Sequence, residues 1–278
     1  MRKLSIALLC CLALGLGAQT PSALYVVANM IDSINSIKTL RFKVVALERT
    51  NGVYVKAVSE NKINIKPRKI YLLNPEKKLE ILYVAGEHNG KAIVKPHVFP
   101  YITLQLNPLG SLMRRNQHYS IHELGFDFIG KCIALALSKE KDNFSKCITN
   151  LGLRDRNGYK CYMLWYEAKT FPFVEYTVQP NETVTSIALK LNANDYMLRA
   201  KNNLYNEFDF LEPGTKLLVP KYYCKKAILY IDQKTLLPVS VNIFDDFGLL
   251  ESYDFSNIIV NKPFAADEFN KDYKDYHF

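Results

Sequence analysis

Two histidines four residues apart are the strongest candidates for chemistry in this sequence. His118 and His122 lie in the stretch MRRNQHYSIHELGFDFIGK, and Glu123 follows directly. If the stretch is helical, both imidazoles lie on one face, as two protein ligands of a zinc ion do. His118 and His122 are therefore the candidate metal ligands.

Other features of the same stretch argue against a metal site. The zincin pattern His-Glu-x-x-His is absent, and Glu123 lies about 100° from His122 around a helix. Arg114 and Arg115 would repel a cation. The alternative is that the two histidines donate hydrogen bonds at the start of a helix, or form the polar rim of a ligand pocket. We expect this alternative, with no bound metal and no cofactor.

The remaining sequence contains no clear catalytic arrangement. A Gly-x-Ser-x-Gly nucleophile elbow is absent. Asp245 and Asp246 form an acidic pair, but they lie in a predicted hairpin turn, whereas a glycosidase needs two carboxylates across a cleft. We therefore expect a protein that is not an enzyme. A metal-dependent wall-modifying enzyme using His118 and His122 is an alternative.

The N-terminal residues have the three-part layout of a secretory signal peptide. Arg2 and Lys3 precede an apolar run from Leu4 to Leu16, and small residues surround Ala18. We predict cleavage near Ala18, so that residues 1–18 are a signal peptide and the mature protein is exported to the periplasm or cell envelope. The run is too short to cross a membrane, and no later stretch has the roughly 20 apolar residues required.

The charge of the chain favours an anionic partner. The formal net charge is +9, and removal of Arg2 and Lys3 leaves +7. This charge suits a cell-wall polymer or an anionic lipid surface, although lysines scattered over a solvated surface are an alternative. No nucleic-acid-binding motif is present. Four cysteines follow the predicted cleavage point, and they can be free thiols or include one disulfide: Cys132, Cys147, Cys161 and Cys224.

The elements that must position these residues are mostly strands. Thr20 can cap a first helix and Pro21 can begin it. Five strands follow, separated by turn signals such as Asn51-Gly52, and they predict an antiparallel meander. A long helix begins in the histidine stretch and ends at residues 139–142. More antiparallel strands follow, and the aromatic tail from Phe264 is predicted to pack against the body.

Residues 174–221 interrupt the strands with a strand-helix-helix-strand pattern. Thr183 and Asn194 can cap the two helices. The pattern YTV…ETVxxIA…N…LxPGxxLxVP resembles that of LysM domains, which are βααβ modules that bind polymers containing N-acetylglucosamine. Two positions depart from the family: Asn181 stands where glycine is usual, and Glu182 stands where aspartate is usual.

The resemblance to LysM domains implies a glycan-binding groove. In that family the sugar lies between the loop after the first strand and the loop before the last strand. Peptidoglycan or a chitin-like glycan is therefore the expected partner, and a structural insert that no longer binds glycan is the alternative. By position, the predicted glycan-binding residues are Asn181, Glu182, Thr183 and Val184 on the first loop and Asn203, Leu204, Tyr205 and Asn206 on the second.

The chain around the insert resembles the LolA-like fold of periplasmic lipoprotein carriers and envelope-stress sensors. The resemblance rests on FPYITLQLNPLGSLMRRNQHYSIHELGF, on LYIDQKTLLPVSVNIFDDFGLLESYDFSNIIVN and on the closing EFNKDYKDY. It points more narrowly to an uncharacterised envelope family with a LysM insert. The implied fold class is α+β. Residues 19–173 and 222–278 form a curved antiparallel half-barrel with helices on one face, and residues 174–221 form the inserted βααβ module.

The two resemblances together give the leading functional hypothesis. LolA-like carriers hold acyl chains on an apolar concave face. We therefore expect a non-enzymatic envelope protein whose insert binds peptidoglycan while the half-barrel binds a lipid, a lipoprotein acyl chain or a protein partner. An envelope scaffold or sensor whose core is filled by its own tyrosines and phenylalanines is the alternative.

Overall fold

The computed structural model describes residues 20–204, 206 and 208–278, so the predicted signal peptide lies outside the described residues. An open antiparallel sheet of eleven strands forms the body, in the order β6-β5-β4-β3-β2-β1-β13-β12-β11-β8-β7. The strands are β1 (Thr39–Thr50), β2 (Val53–Asn64), β3 (Lys69–Asn74), β4 (Leu79–Val84), β5 (Ala92–Pro96), β6 (Leu104–Leu106), β7 (Ile148–Arg156), β8 (Tyr159–Glu167), β11 (Lys226–Asp232), β12 (Pro238–Asp245) and β13 (Gly248–Val260).

The predicted fold class, an antiparallel sheet with helices on one face, is confirmed. Alternate residues of β1, among them Leu40 and Phe42, are buried. They share one core with the buried face of helix α1 (Ala23–Asn35). The cap of α1 differs from the prediction, because Ser22 rather than Thr20 accepts the hydrogen bond from the Tyr25 N–H.

The histidine stretch is not the start of the long helix. A short helix α2 (Ser111–Arg114) and a 3₁₀ turn at Ile121–Glu123 precede helix α3, which spans Asp127–Cys147. Gly125 separates the turn from α3 at φ +108°, which an L side chain rarely adopts. The predicted end of this helix at residues 139–142 was also too early.

Helix α3 covers the sheet beside α1. A Cβ on Gly130 would lie 3.3 Å from Ile34 Cγ2, so the glycine permits the two helices to approach closely. Arg68 fixes the beginning of α3 because its guanidinium donates to the carbonyl oxygens of His122 and Leu124 and to the carboxylate of Asp127. The start of α3 is thus tied to the connection between β2 and β3.

The βααβ module lies between two neighbouring strands of the large sheet. It consists of β9 (Phe173–Thr177), α4 (Val184–Leu191), α5 (Asp195–Asn202) and β10 (Lys216–Pro220). Thr183 caps α4 and Asn194 caps α5, as predicted. The chain leaves the sheet after β8 and returns in β11, its antiparallel partner. The domain boundaries at 173/174 and 221/222 stay predictions.

The aromatic tail packs against the body, as predicted from the sequence. The ring of Tyr276 stacks on that of Tyr71 with a centroid distance of 3.7 Å, and Ile93 lies in the same cluster. All four described cysteines are free. Within the described ranges, no helix combines the length and the apolar character needed to cross a membrane.

Candidate functional site

An apolar cavity lies between helix α3 and the sheet. Its volume is about 100 Å³. The helix contributes residues at spacings of three and four, which place them on one face. Lining side chains from α3 are Phe128, Ile129, Cys132, Ile133, Ala136 and Phe144, and those from the strands include Tyr166, Ala227, Leu229, Val241 and Ile243.

A second cavity, of about 190 Å³, extends over strands β1 to β4. Its lining is apolar on the strand side, with Val44, Leu72 and Ile81. The two cavities meet at a wall of four side chains, which we call the aromatic wall: Tyr119, Phe128, Ile129 and Tyr253.

The lining of the apolar cavity includes a single carboxylate. Glu251 is 2% exposed. The hydroxyls of Tyr119 and Tyr223 each donate to it over 2.7 Å, and His118 Nδ1 lies 2.7 Å from the same carboxylate. These three side chains supply the hydrogen-bond partners that a buried carboxylate requires.

A second buried carboxylate lies on the other side of His118. Glu48 accepts from the backbone N–H of His118 over 2.9 Å and from the hydroxyl of Tyr253. Burial raises the pKa of Glu48 above its ordinary value, and the charge of His118 opposes this shift. Burial also acts to lower the pKa of His118, but the hydrogen bond to Glu251 and the charges of both carboxylates outweigh it and raise that pKa to about 9.

The structure does not bring His118 and His122 together as metal ligands on one helical face. His118 is buried, and its Nε2 lies 3.0 Å from the carbonyl oxygen of Arg49, so both ring nitrogens have partners. His122 lies in the 3₁₀ turn with its ring edge toward Tyr83. Within the part of the chain that the structure describes, no group of three potential ligands of the His, Cys, Asp or Glu type can hold a metal ion.

The two cysteines that line the apolar cavity are not poised as nucleophiles. Burial raises the pKa of the Cys132 thiol to about 12 and raises that of Cys224 as well. Because the thiolate is the reactive form, both groups remain thiols at neutral pH. They contribute apolar lining to the cavity.

The first predicted glycan loop contains one exposed position and three structural ones. Asn181 adopts φ +62°, which asparagine tolerates better than other non-glycine residues, so the replacement of the usual glycine keeps the turn. The Glu182 carboxylate accepts from the N–H of Gln179 and the hydroxyl of Tyr176. Thr183 caps α4, and Val184 is fully buried.

The second predicted loop begins where α5 ends. Asn203 ends α5 in the left-handed conformation, and Asn206 is exposed. Leu204 is half-buried in the core of the module, and Tyr205 lies outside the described residues. Beyond them Phe210 pairs with Thr183 as an isolated β-bridge, and its side chain is 74% exposed.

Phe210 was missed by the sequence reasoning. The sequence could have indicated it, because Phe210 lies in the polar run NEFDF before Pro213-Gly214. This run lacks the spacing of apolar residues that would place an aromatic side chain in a core. The exposed ring of Phe210 is therefore a further candidate for contact with a sugar ring.

Residues 176–220 match the family profile described as LysM domain. They are a LysM domain. Residues 38–171 match the profile described as Protein of unknown function (DUF1571). No curated protein matches the chain. The predicted antiparallel sheet is confirmed by the strand arrangement, and the predicted LysM insert is confirmed by this match.

Several solved structures resemble the chain at low sequence identity. The Mycobacterium tuberculosis lipoprotein LppX is 13% identical, with a TM-score of 0.42 over 88% of this chain and 100% of that chain. The Pseudomonas aeruginosa MucA/MucB complex is 10% identical, with a TM-score of 0.41 over 88% of this chain and 59% of that chain. A LolA superfamily protein from Nitrosomonas europaea is 10% identical, with a TM-score of 0.27 over 91% of this chain and 99% of that chain.

The LysM domain is anchored to the body by a buried ion pair. Arg114, at the end of α2, lies 2.7 Å from the carboxylate of Asp195 at the start of α5, and the two side chains are 4% and 2% exposed. The next residue, Tyr196, packs its ring 4.9 Å from that of His118. The LysM domain therefore contacts the buried network that includes Glu251, a residue of the apolar cavity's lining.

A second contact joins the LysM domain directly to the cavity lining. The Asn192 amide, in the turn between α4 and α5, donates to the Cys132 thiol over 3.1 Å. Because Cys132 lines the cavity, the LysM domain directly contacts a residue of the cavity lining.

Proposed function

We propose that this is a cell-envelope binding protein that is not an enzyme, and that it holds peptidoglycan through its LysM domain and an acyl chain in the cavity under α3. The observation that carries the proposal is the fixed attachment of a LysM domain to a sheet that encloses an apolar cavity. The exported, periplasmic location predicted from residues 1–18 fits both ligands.

The LysM groove offers the groups that an N-acetylglucosamine polymer needs. Exposed amides at Asn181, Asn203 and Asn206 can bond the acetamido and hydroxyl groups, and Phe210 supplies a face for the apolar side of a sugar ring. Glu182, Thr183 and Val184 act through the backbone and by holding the loop, because their side chains are engaged or buried.

Retention on purified peptidoglycan tests the glycan assignment in the full chain. The double variant Asn206→Ala/Phe210→Ala alters exposed groups and should lower the retained fraction about tenfold, through loss of a stacking contact of roughly 1 kcal/mol and its hydrogen bonds. Phe247→Ala removes an equally exposed phenylalanine of the body and should have no effect. Asn181→Gly, which restores the usual LysM residue, should retain binding. Equal retention of the double variant and the native protein would contradict the assignment.

The cavity under α3 fits an uncharged acyl tail. Burial of each methylene contributes about 0.8 kcal/mol. The described lining holds no lysine or arginine that could pair with a free fatty-acid carboxylate, and burying that charge unpaired is costly, so we propose an ester- or amide-linked chain. The present volumes hold a short segment, and a longer chain requires the aromatic wall between the two cavities to part.

A fluorescent acyl ester provides the test of the cavity. Ala136→Phe fills space in the lining and should weaken binding about tenfold. Ala134→Phe lies on the same helix outside both linings and serves as the matched control. Equal binding by the native protein and Ala136→Phe, or the absence of any acyl ligand in native mass spectrometry of protein taken from its own envelope fraction, would favour the scaffold or sensor alternative.

A further inference from the structure

The segment between β5 and the end of α2 exposes a dense apolar surface. Seven of the seventeen exposed large apolar side chains in the described ranges lie within residues 98–112, and Phe99 and Leu112 are 85% and 70% exposed. We call this surface the 98–112 patch. Soluble proteins rarely expose large apolar side chains in such a cluster unless it meets a partner or a membrane. Its members are Val98, Phe99, Tyr101, Ile102, Leu104, Leu109 and Leu112.

The charged residues of the segment that carries the patch have one sign. No aspartate or glutamate occurs from His88 to His122, a stretch that contains exposed Lys91 and Arg115. Lys95 donates to the carbonyl oxygen of Tyr101 over 2.8 Å, so its ammonium group lies at the base of the patch. The acid opposite Lys95 on β4, Glu80, is buried and lies 3.2 Å from the imidazole of His97. The segment therefore combines exposed apolar side chains with basic residues and contains no acidic residue.

The backbone here is poorly suited to pairing with a strand of another protein. The edge strand β6 has three residues and pairs only with β5 in the described sheet. Pro96, Pro100 and Pro108 flank it and cannot donate to a new ladder. An interfacial membrane anchor has exposed aromatic and aliphatic side chains with basic neighbours. This segment has those features, and its sheet edge is too short to pair with another strand.

We propose that the 98–112 patch is a membrane-docking surface that inserts Phe99, Tyr101 and Leu112 into the interface of an anionic lipid bilayer. The inference stands on the patch alone and does not require the acyl cavity to be occupied. Its location has a consequence for that cavity, since exposed Leu112 is followed directly by Met113, which lines the second cavity. Docking therefore places one residue of the second cavity's lining next to a residue that enters the lipid surface.

Vesicle flotation of the full chain tests the proposal. The probes are vesicles of phosphatidylcholine alone and vesicles in which about a third of the lipid is phosphatidylglycerol. We expect binding to the anionic vesicles that decreases with added salt. The variant Phe99→Ser/Leu112→Ser should bind about tenfold less, while Phe247→Ser, at a phenylalanine 76% exposed on the β12–β13 turn, should bind like the native protein.

A charge variant separates the two contributions to docking. Lys91→Glu should weaken binding to anionic vesicles and leave the circular dichroism and thermal midpoint unchanged, because Lys91 is exposed. Absence of native binding to either vesicle type would overturn the proposal. Equal binding by the Phe99/Leu112 variant and the native protein, or an equal loss in Phe247→Ser, would also overturn it. The same variants are also measured in the peptidoglycan and acyl-ester assays. A protein that binds those ligands but not vesicles would contradict the docking proposal alone, and the reverse result would contradict the proposed function alone.

Discussion

His118 Nδ1 lies 2.7 Å from the carboxylate of Glu251, and the two side chains are 0% and 2% exposed. The backbone N–H of the same histidine donates a hydrogen bond to the carboxylate of Glu48. Loss of one partner of a buried pair leaves an uncompensated charge, which is strongly unfavourable. The protonation of His118 is therefore coupled to the stability of the body.

The stability of the protein should decrease as the pH rises through the range in which His118 loses its proton. The folded protein raises the pKa of His118 from 6.5 to about 9, so the stabilisation is fully present below pH 6.5 and is lost as the pH approaches 9. The free energy of unfolding should fall by an amount on the order of 3 kcal/mol over this window. Urea unfolding at a series of pH values measures it.

The variant His118→Gln should remove most of this pH dependence. If that variant does not fold, the histidine resonances of the native protein provide the check. A buried imidazole that titrates near its ordinary pKa would contradict the prediction.

Breaking the buried ion pair between α2 and the LysM domain should destabilise the fold strongly. In Arg114→Met the carboxylate of Asp195 loses a partner at 2.7 Å, and the expected decrease in the free energy of unfolding is about 3 kcal/mol. Lys225→Met removes a cation from the exposed pair with Asp246 and should change stability little. Equal effects of the two substitutions in urea unfolding would show that the buried pair does not anchor the domain.

The C-terminal tail should contribute to the stability of the sheet. Tyr276 stacks on Tyr71 and donates to the carbonyl oxygen of Glu268 over 2.7 Å. Tyr276→Ala should therefore lower the free energy of unfolding by about 3 kcal/mol. Tyr25→Ala, at an exposed ring on α1, is the control and should have little effect. A thermal midpoint for Tyr276→Ala equal to that of Tyr25→Ala would contradict the docked tail.

Local sequence rules sufficed wherever a short segment determines its own structure. The turn at Asn51-Gly52 has positive φ at both residues, as a two-residue hairpin requires. Thr183 and Asn194 cap the two LysM helices because their side chains bond backbone N–H groups three residues ahead. These contacts involve neighbours in sequence, so the pattern alone predicts them.

The buried polar network could not be predicted, because its members are distant in sequence. His118 meets Glu48 and Glu251, which lie 70 and 133 positions away. Glu48 and Glu251 each lie in a strand that mixes polar and apolar residues. Because a polar residue in such a strand is usually on the solvated face, the pattern does not indicate that either carboxylate is buried. The helical interpretation of the histidine stretch was wrong for a local reason, since Gly125 ends the turn before α3 begins. The individual glycan-binding residues stay predictions.

The double connection of the LysM domain has a mechanical consequence. Val174 pairs with Val219, and the hydrogen bonds from Ala168 to Lys225 and from Lys221 to Pro172 continue the pairing toward the sheet. A module on one linker can swivel, whereas this one is held by two paired chain segments and by the ion pair at Asp195. If the LysM domain binds an immobile wall polymer, the orientation of the whole body is fixed as well. Each of its other surfaces then faces a fixed direction relative to that polymer.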